Sequence, residues 1–275
     1  MFVGAITEYI DVAQLALYGF WLFFALLVLY LHRESKREGY PLDTDRSDRI
    51  TVEGFPRMPA PKTYLLRDGS TVVQPSAERR DTRPVAAEPL AGFPGAPLVP
   101  TGDALADAVG PASHAERADV PEPDNHGGDR IRPMAKLDAE GFRIAGYGTD
   151  PRGAPVRTFD GEVVGTVDEL WIDHMESMVR YLGVATGAGT SVVMPMNMAV
   201  LKRQRAAPAD GSVFDRLRAR RGPEVRVASV TAEQFRNAPK PASPGRITMS
   251  EEYVIQGYFG GGTIYATPER SEPLL

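Results

Sequence analysis

"VRTFDGEVVGTVDELWID" (156–173) is the stretch on which the fold turns. An Asp-Gly pair at 160–161 marks a turn, and alternation follows it: Val167, Glu169, Trp171 and Asp173 share one face, Leu170 and Ile172 the other. "MVRYLGVAT" (178–186) and "SVVMPM" (191–196) repeat the pattern around "GAGT" (187–190), a second hairpin signal. "EVRVASV" (224–230) reads as a further strand, and Thr231 with Gln234 reads as a capping box opening the short helix "AEQF". Several short strands joined by close turns predict a small antiparallel barrel or curled sheet. "ITMSEEYVIQGYFGGGTIYA" (247–266) is helical or irregular at first, with a Gly-rich turn near its end. The run Gly260 to Gly262 lacks the Lys-Ser/Thr ending and strand-to-helix setting of a phosphate loop, so it reads as structural.

Inside this β pattern, "WIDHMESMVRYL" (171–182) sets Asp173, His174, Glu176 and Arg180 around one bend. Asp173 ends a strand, Glu176 sits in or after the bend, and Arg180 follows on the return strand. Two carboxylates that are partly desolvated cannot easily both ionise, so one is expected to titrate closer to neutrality. A neighbouring guanidinium pushes the other way. A solvated turn accounts for the same residues, and both readings stand on this stretch alone. "PEPDNHGGDR" (121–130) places Glu122, Asp124, His126 and Asp129 in a second polar stretch. That spacing suits a surface metal ion or a proton relay, because imidazole titrates near physiological pH. A plain acidic loop fits as well, and with one imidazole His126 and Asp124 make only a weak metal candidate.

The N-terminus says what the β part is attached to. From Val12 to Leu31 (VAQLALYGFWLFFALLVLYL) no residue is charged. A helix of that length, at about 1.5 Å per residue, crosses the roughly 30 Å hydrocarbon core. A cleaved signal peptide needs a basic start and a shorter apolar run, and residues 1–11 hold no Lys or Arg. His32, Arg33, Lys36 and Arg37 flank only the exit side, with Arg46 and Arg49 beyond them. The positive-inside rule then puts the short N-terminus outside and the rest of the chain in the cytoplasm. Residues 41 to about 135 are rich in Pro and resist assignment, apart from one hairpin, Thr63–Leu66 with "RDGSTVV" (67–73). A disordered linker and a segment ordered on a partner surface both suit that composition.

Composition narrows function by exclusion. Asp plus Glu number 36 against 31 Lys plus Arg, which gives no support to a nucleic-acid binder. There is no cysteine, hence no disulfide, thiolate metal site or cysteine nucleophile. No Ser-His-Asp order or metalloprotease motif appears, so a membrane-anchored hydrolase has little support. "LKRQRAAPADGSVFDRLRARRG" (201–222) carries Lys202, Arg203, Arg205, Arg216, Arg218, Arg220 and Arg221. Contact with anionic lipid head groups and an insertion of no particular role explain it equally well.

The anchor followed by "REGYPL" (37–42), then "FPRMPAPKTYLL" (55–66), "PTGDALADAVGPAS" (100–113) and "VPEPDNHGGDRIRPM" (120–134), resembles the H subunit of the purple-bacterial photosynthetic reaction centre. "VVGTVDELWID", "VVMPMNM" and "IQGYFGGGTIYATPER" extend the likeness, in order, over nearly the whole chain. The resemblance implies a single N-terminal transmembrane helix plus a mostly β cytoplasmic domain of the PRC-barrel type, joined by a long extended, Pro-rich segment. It divides the chain into a periplasmic N-terminus (1–11), a transmembrane helix (12–32), an extended cytoplasmic segment lying on partner subunits (33–135) and the barrel with its C-terminal segment (136–275).

The resemblance further implies a non-catalytic, single-pass protein of the bacterial inner (intracytoplasmic) membrane. It would cap the L and M subunits, stabilise the secondary quinone site and carry protons to the reduced quinone. Bacteriochlorophyll, bacteriopheophytin, quinones and non-haem iron would sit in L and M, with no cofactor on this chain. Other implied partners are a cytochrome subunit or soluble cytochrome, the light-harvesting 1 antenna and membrane lipids; nucleic acid is not among them. Residue by residue, Glu122, Asp124 and His126 match the surface where protons enter. Asp173 and Glu176 match inner carboxylates, and Arg180 matches the basic residue that tunes them. Gly128 stands where the family has a second surface histidine, with Asp129 a partial substitute. The alternative from another class is a membrane-tethered PRC-barrel scaffold or ligand-binding protein outside photosynthesis.

Overall fold

A computed structural model describes residues 4, 6, 7, 9–40, 42–44, 47–76, 83–93, 96–187, 190–203 and 223–271. The chain forms two compact units, one of residues 1–84 with 91–96 and one of residues 85–90 with 97–275. Residues 97–135, read from sequence as part of the extended segment, thus fold with the second unit.

In the first unit, helix α1 runs from Val12 to Glu34. It starts on a capping box: the Asp11 carboxylate accepts from Gln14 N at 2.7 Å and the Gln14 side chain accepts from Asp11 N. No residue of α1 is buried, and Leu, Phe and Trp side chains stand exposed all round it. A helix apolar on every face suits a lipid environment. The basic residues at its exit do more than carry charge. Lys36 Nζ donates to the carbonyls of Glu53 and Pro56, and Arg37 donates to those of Ala60 and Gln74. Both side chains are buried and clamp the following loops to the helix end. Strands β1 (Leu42–Thr44) and β2 (Ser47–Val52) pair antiparallel, as do β3 (Lys62–Leu65) and β4 (Thr71–Gln74). The second pair is the hairpin expected from sequence. Its Asp-Gly turn uses Gly69 at φ +81°, where a Cβ would be strained.

In the second unit, β5 (Ala87–Pro89) and β6 (Leu98–Pro100) form a small ribbon. The main sheet contains β7 (Ile131–Pro133), β8 (Pro155–Arg157), β9 (Val163–Asp173), β10 (Met178–Thr186), β11 (Thr190–Pro195), β12 (Ala199–Arg203) and β13 (Pro223–Val227). Its order is β11-β10-β9-β8-β13-β12, with β7 pairing the far end of β9. All pairs are antiparallel except β8 with β13. That parallel contact departs from an all-antiparallel sheet. It is possible because the chain between the two strands is long enough to return on the same side. Short helix α2 (Met134–Leu137) follows β7. The expected alternation along β9 does not hold: Val164 and Val167 are buried three residues apart, and the register with β10 shifts between Val167 and Glu169. From Leu170 to Asp173 every residue is buried, because both faces of this end are covered.

Helix α3 (Ala232–Asn237) has the capping box read from Thr231 and Gln234. Helix α4 runs unbroken from Met249 to Tyr265, so the expected Gly-rich turn at 260–262 is wrong: these glycines are helical. Their lack of side chains serves packing instead. A Cβ on Gly257 would lie 2.5 Å from the Ala112 carbonyl oxygen, and one on Gly261 would lie 2.6 Å from the Ala112 Cβ. Phe235 and Phe259 meet edge to face inside the core, with Leu170, Leu182 and Ile255 fully buried around them. The basic insertion from Arg205 to Arg221 lies outside the described residues.

Candidate functional site: an arginine-centred carboxylate cluster

Two turns come together at the far end of β9. Register pairs Ile131 with Asp173 and Pro133 with Trp171, so the loop before β7 arrives beside the β9–β10 bend. In that loop Asp124 organises the backbone: its Oδ1 accepts from His126 N at 2.7 Å and Gly128 N at 2.8 Å. In the bend Asp173 does the same, its Oδ1 accepting from Met175 N and Glu176 N at 3.2 Å each. Both are Asx-type turns, in which a short carboxylate satisfies amides that no strand partner reaches.

Arg130 joins the two. Its Nε donates to Asp173 Oδ2 at 2.9 Å, Nη1 to Glu122 Oε1 at 2.9 Å and Nη2 to Glu176 Oε1 at 2.6 Å. The Arg130 side chain is 23% exposed and that of Asp173 0%, while Glu122 and Glu176 reach 37% and 50%. The cluster therefore runs from solvent to a fully buried carboxylate. A planar guanidinium with several fixed N–H directions is suited to hold three acids at once. His174 lies alongside: its Nδ1 is 2.7 Å from the Arg130 carbonyl oxygen and its Nε2 3.2 Å from Asp124 Oδ2.

Asp173, Glu176, Glu122 and Asp124, all singled out from sequence, thus occupy one cluster. Arg180 does not hold the two inner acids; Arg130 does. Arg180 sits on β10 and acts electrostatically on Tyr181 and Glu252. The amides of His126 and Gly128 hold the Asp124 carboxyl below the usual range. His126 is exposed and reaches Asp124 through its backbone amide. Asp129 faces away into a bidentate pair with Arg246 at 2.9 and 3.0 Å. Among the described residues no group of three or more His, Asp or Glu is placed to hold a metal ion.

A second buried acid adjoins the cluster. Glu252, on α4, accepts from the Tyr181 hydroxyl at 2.7 Å, and Gln256 donates to that hydroxyl at 3.4 Å. Burial pushes the Glu252 carboxyl upward, and the negative charges of Glu122 and Asp173 push the same way. The sequence placed His174 at the bend without giving it a role, and Arg130 and Glu252 were not among the residues singled out. For Glu252 a usable signal existed: it is the carboxylate beside the apolar run "YVIQGYF", whereas its neighbour Glu251 closes the helix cap.

Family comparison agrees with this layout. The model of the photosynthetic reaction centre H-chain N-terminal region matches residues 4–136, and the PRC-barrel domain model matches residues 145–209. The first match contains the anchor, the clamp at its end and the Asp124 loop, and the second contains the β9–β10 bend. The chain belongs to the H-subunit family of the photosynthetic reaction centre, whose members associate with the L and M subunits while other subunits carry the cofactors.

Proposed function

We propose that this chain caps L and M on the cytoplasmic side and conducts protons from the cytoplasm to the reduced secondary quinone, whose pocket it helps to stabilise. One observation carries the reading: Arg130 links the half-exposed Glu122 and Glu176 to the fully buried Asp173. A twice-reduced quinone needs two protons at a site remote from water. Closely spaced acids and an imidazole can pass protons inward while a fixed guanidinium compensates the charge left behind. The anchor would sit in the inner membrane with its N-terminus periplasmic, as the basic exit residues favour. Contacts with a cytochrome, the light-harvesting 1 antenna and lipids follow from such a position.

The test is the double variant Asp173→Asn, Glu176→Gln in the purified complex. Flash-induced transfer of the second electron to the secondary quinone is coupled to proton delivery and should slow more than transfer of the first. Equal kinetics for both electrons in variant and native complexes would remove proton conduction and leave the capping role.

A further inference from the structure

His174 sits between two groups that can only accept. The Arg130 carbonyl oxygen lies 2.7 Å from Nδ1, so Nδ1 carries a hydrogen. The Asp124 Oδ2 lies 3.2 Å from Nε2. If Nε2 had no proton, its lone pair would point at a carboxylate oxygen. The contact is sound only when one proton lies between ring and acid.

Asp124 does not take that proton readily. Its other oxygen already accepts two backbone amides, and these hold the carboxyl below the usual range. The contact therefore holds one proton between Nε2 and Asp124 Oδ2, beside a ring whose side chain is only 12% exposed. Gly128 keeps the arrangement open, since a Cβ there would come within 2.9 Å of Asp124 Oδ2, the oxygen that faces the ring. The backbone amide of His174 also donates to the Arg130 carbonyl, at 3.3 Å, which fixes the His174 backbone against the Arg130 strand entry.

We infer that His174 is a proton-binding member of the inlet, holding one exchangeable proton on Nε2 between the Asp124 loop and the Arg130 cluster. The charged and titratable groups around it are Asp124 and His126 from the loop, Arg130 with its partner Glu122, and Asp173 and Glu176 on its own turn. In transfer, the Nε2–H bond breaks as the proton moves on through water to the acids of the Arg130 cluster, Glu176 and Asp173. The neutral ring keeps its Nδ1–H bond to Arg130 and is reprotonated at Nε2 from the cytoplasmic side. Nothing is oxidised or reduced, and the ring returns to its starting state.

This inference rests on the proton-conduction reading, and its test separates the two. The second electron transfer is measured across the neutral pH range in the intact complex for His174→Gln, and for the Asp173→Asn, Glu176→Gln double variant. Glutamine keeps an amide donor toward Asp124 but cannot titrate. His174→Gln should run about tenfold slower, less than the hundredfold or more expected of a sole proton-transfer group because Glu122 and His126 remain. It should lose a titration step from the pH profile, and added imidazole should restore the rate. A slow double variant beside a His174→Gln that keeps the native profile would overturn the role of His174 alone. Native rates in the double variant would overturn the conduction reading and this inference with it.

Discussion

Arg130 Nε and Asp173 Oδ2 lie 2.9 Å apart, and this bond ties the loop before β7 to the buried end of β9. Asp173 is fully buried, and its other oxygen is engaged by its own turn. Without the guanidinium it would be a buried acid with no counter-charge. Removing one partner of a buried pair typically costs about 3–5 kcal/mol, and water reaching Glu122 and Glu176 places this cluster at the lower end. Arg130→Met should therefore lower stability by about 3 kcal/mol, with Arg130→Lys intermediate because an ammonium cannot hold three acids in one plane. Denaturant midpoints of the three proteins give the order.

Asp124 provides a prediction with the opposite chemical sense from a group raised by burial. Its folded-state carboxyl lies below the unfolded value, through the amides of His126 and Gly128. Its contribution to stability is therefore present above the ordinary carboxylate range and is lost as pH falls through the lowered folded value. Amide exchange at His126 and Gly128 should stay slow in mildly acidic buffer and speed up only in strong acid. In Asp124→Asn those amides should exchange faster at every pH.

Glu252 runs the other way. Burial raises its folded-state value above the ordinary one of 4.5. Its stabilising contribution is complete below the unfolded value and disappears as pH rises through the raised folded value. Glu252→Gln removes that dependence while keeping an acceptor for Tyr181. The variant should gain stability on the native protein as pH rises from the acid range toward neutrality. Urea midpoints across that range decide it, and parallel curves would mean that Glu252 is not raised.

The glycines of α4 make a prediction about packing alone. Gly257→Ala puts a Cβ 2.5 Å from the Ala112 carbonyl oxygen, so helix or loop has to move. Overpacking of this kind costs about 1–3 kcal/mol even though Ala is the better helix former. Thermal unfolding of Gly257→Ala should fall below native. Gly19→Ala, where nothing lies within 4 Å of the added methyl, should not destabilise.

Much of the architecture was legible because it depends on local patterns. The apolar run from Val12, the Asp-Gly turns, the β9–β10–β11 meander and the Thr231–Gln234 cap are each continuous in the chain, so neighbouring residues define them. Strands such as β5, β6 and β7 have three residues each, too few for a period of two to register. The helical state of Gly260 to Gly262 was hidden because glycine has low helix propensity, and here the close approach of Ala112 and Ser229 overrides it.

The sequence by itself determined which residue types carry the chemistry: the anchor, the acids at 122, 124, 173 and 176, and the basic groups near them. Only the tertiary structure decided which of these meet. Arg180 is four residues from Glu176, yet the guanidinium that binds Glu176 comes from Arg130, which the β7–β9 register brings across. The same register sets His174 against the Arg130 carbonyl and places its ring beside Asp124. Nearness along a strand fixes only the face of the sheet. Nearness across strands is set by register, and register comes from burying both faces of β9.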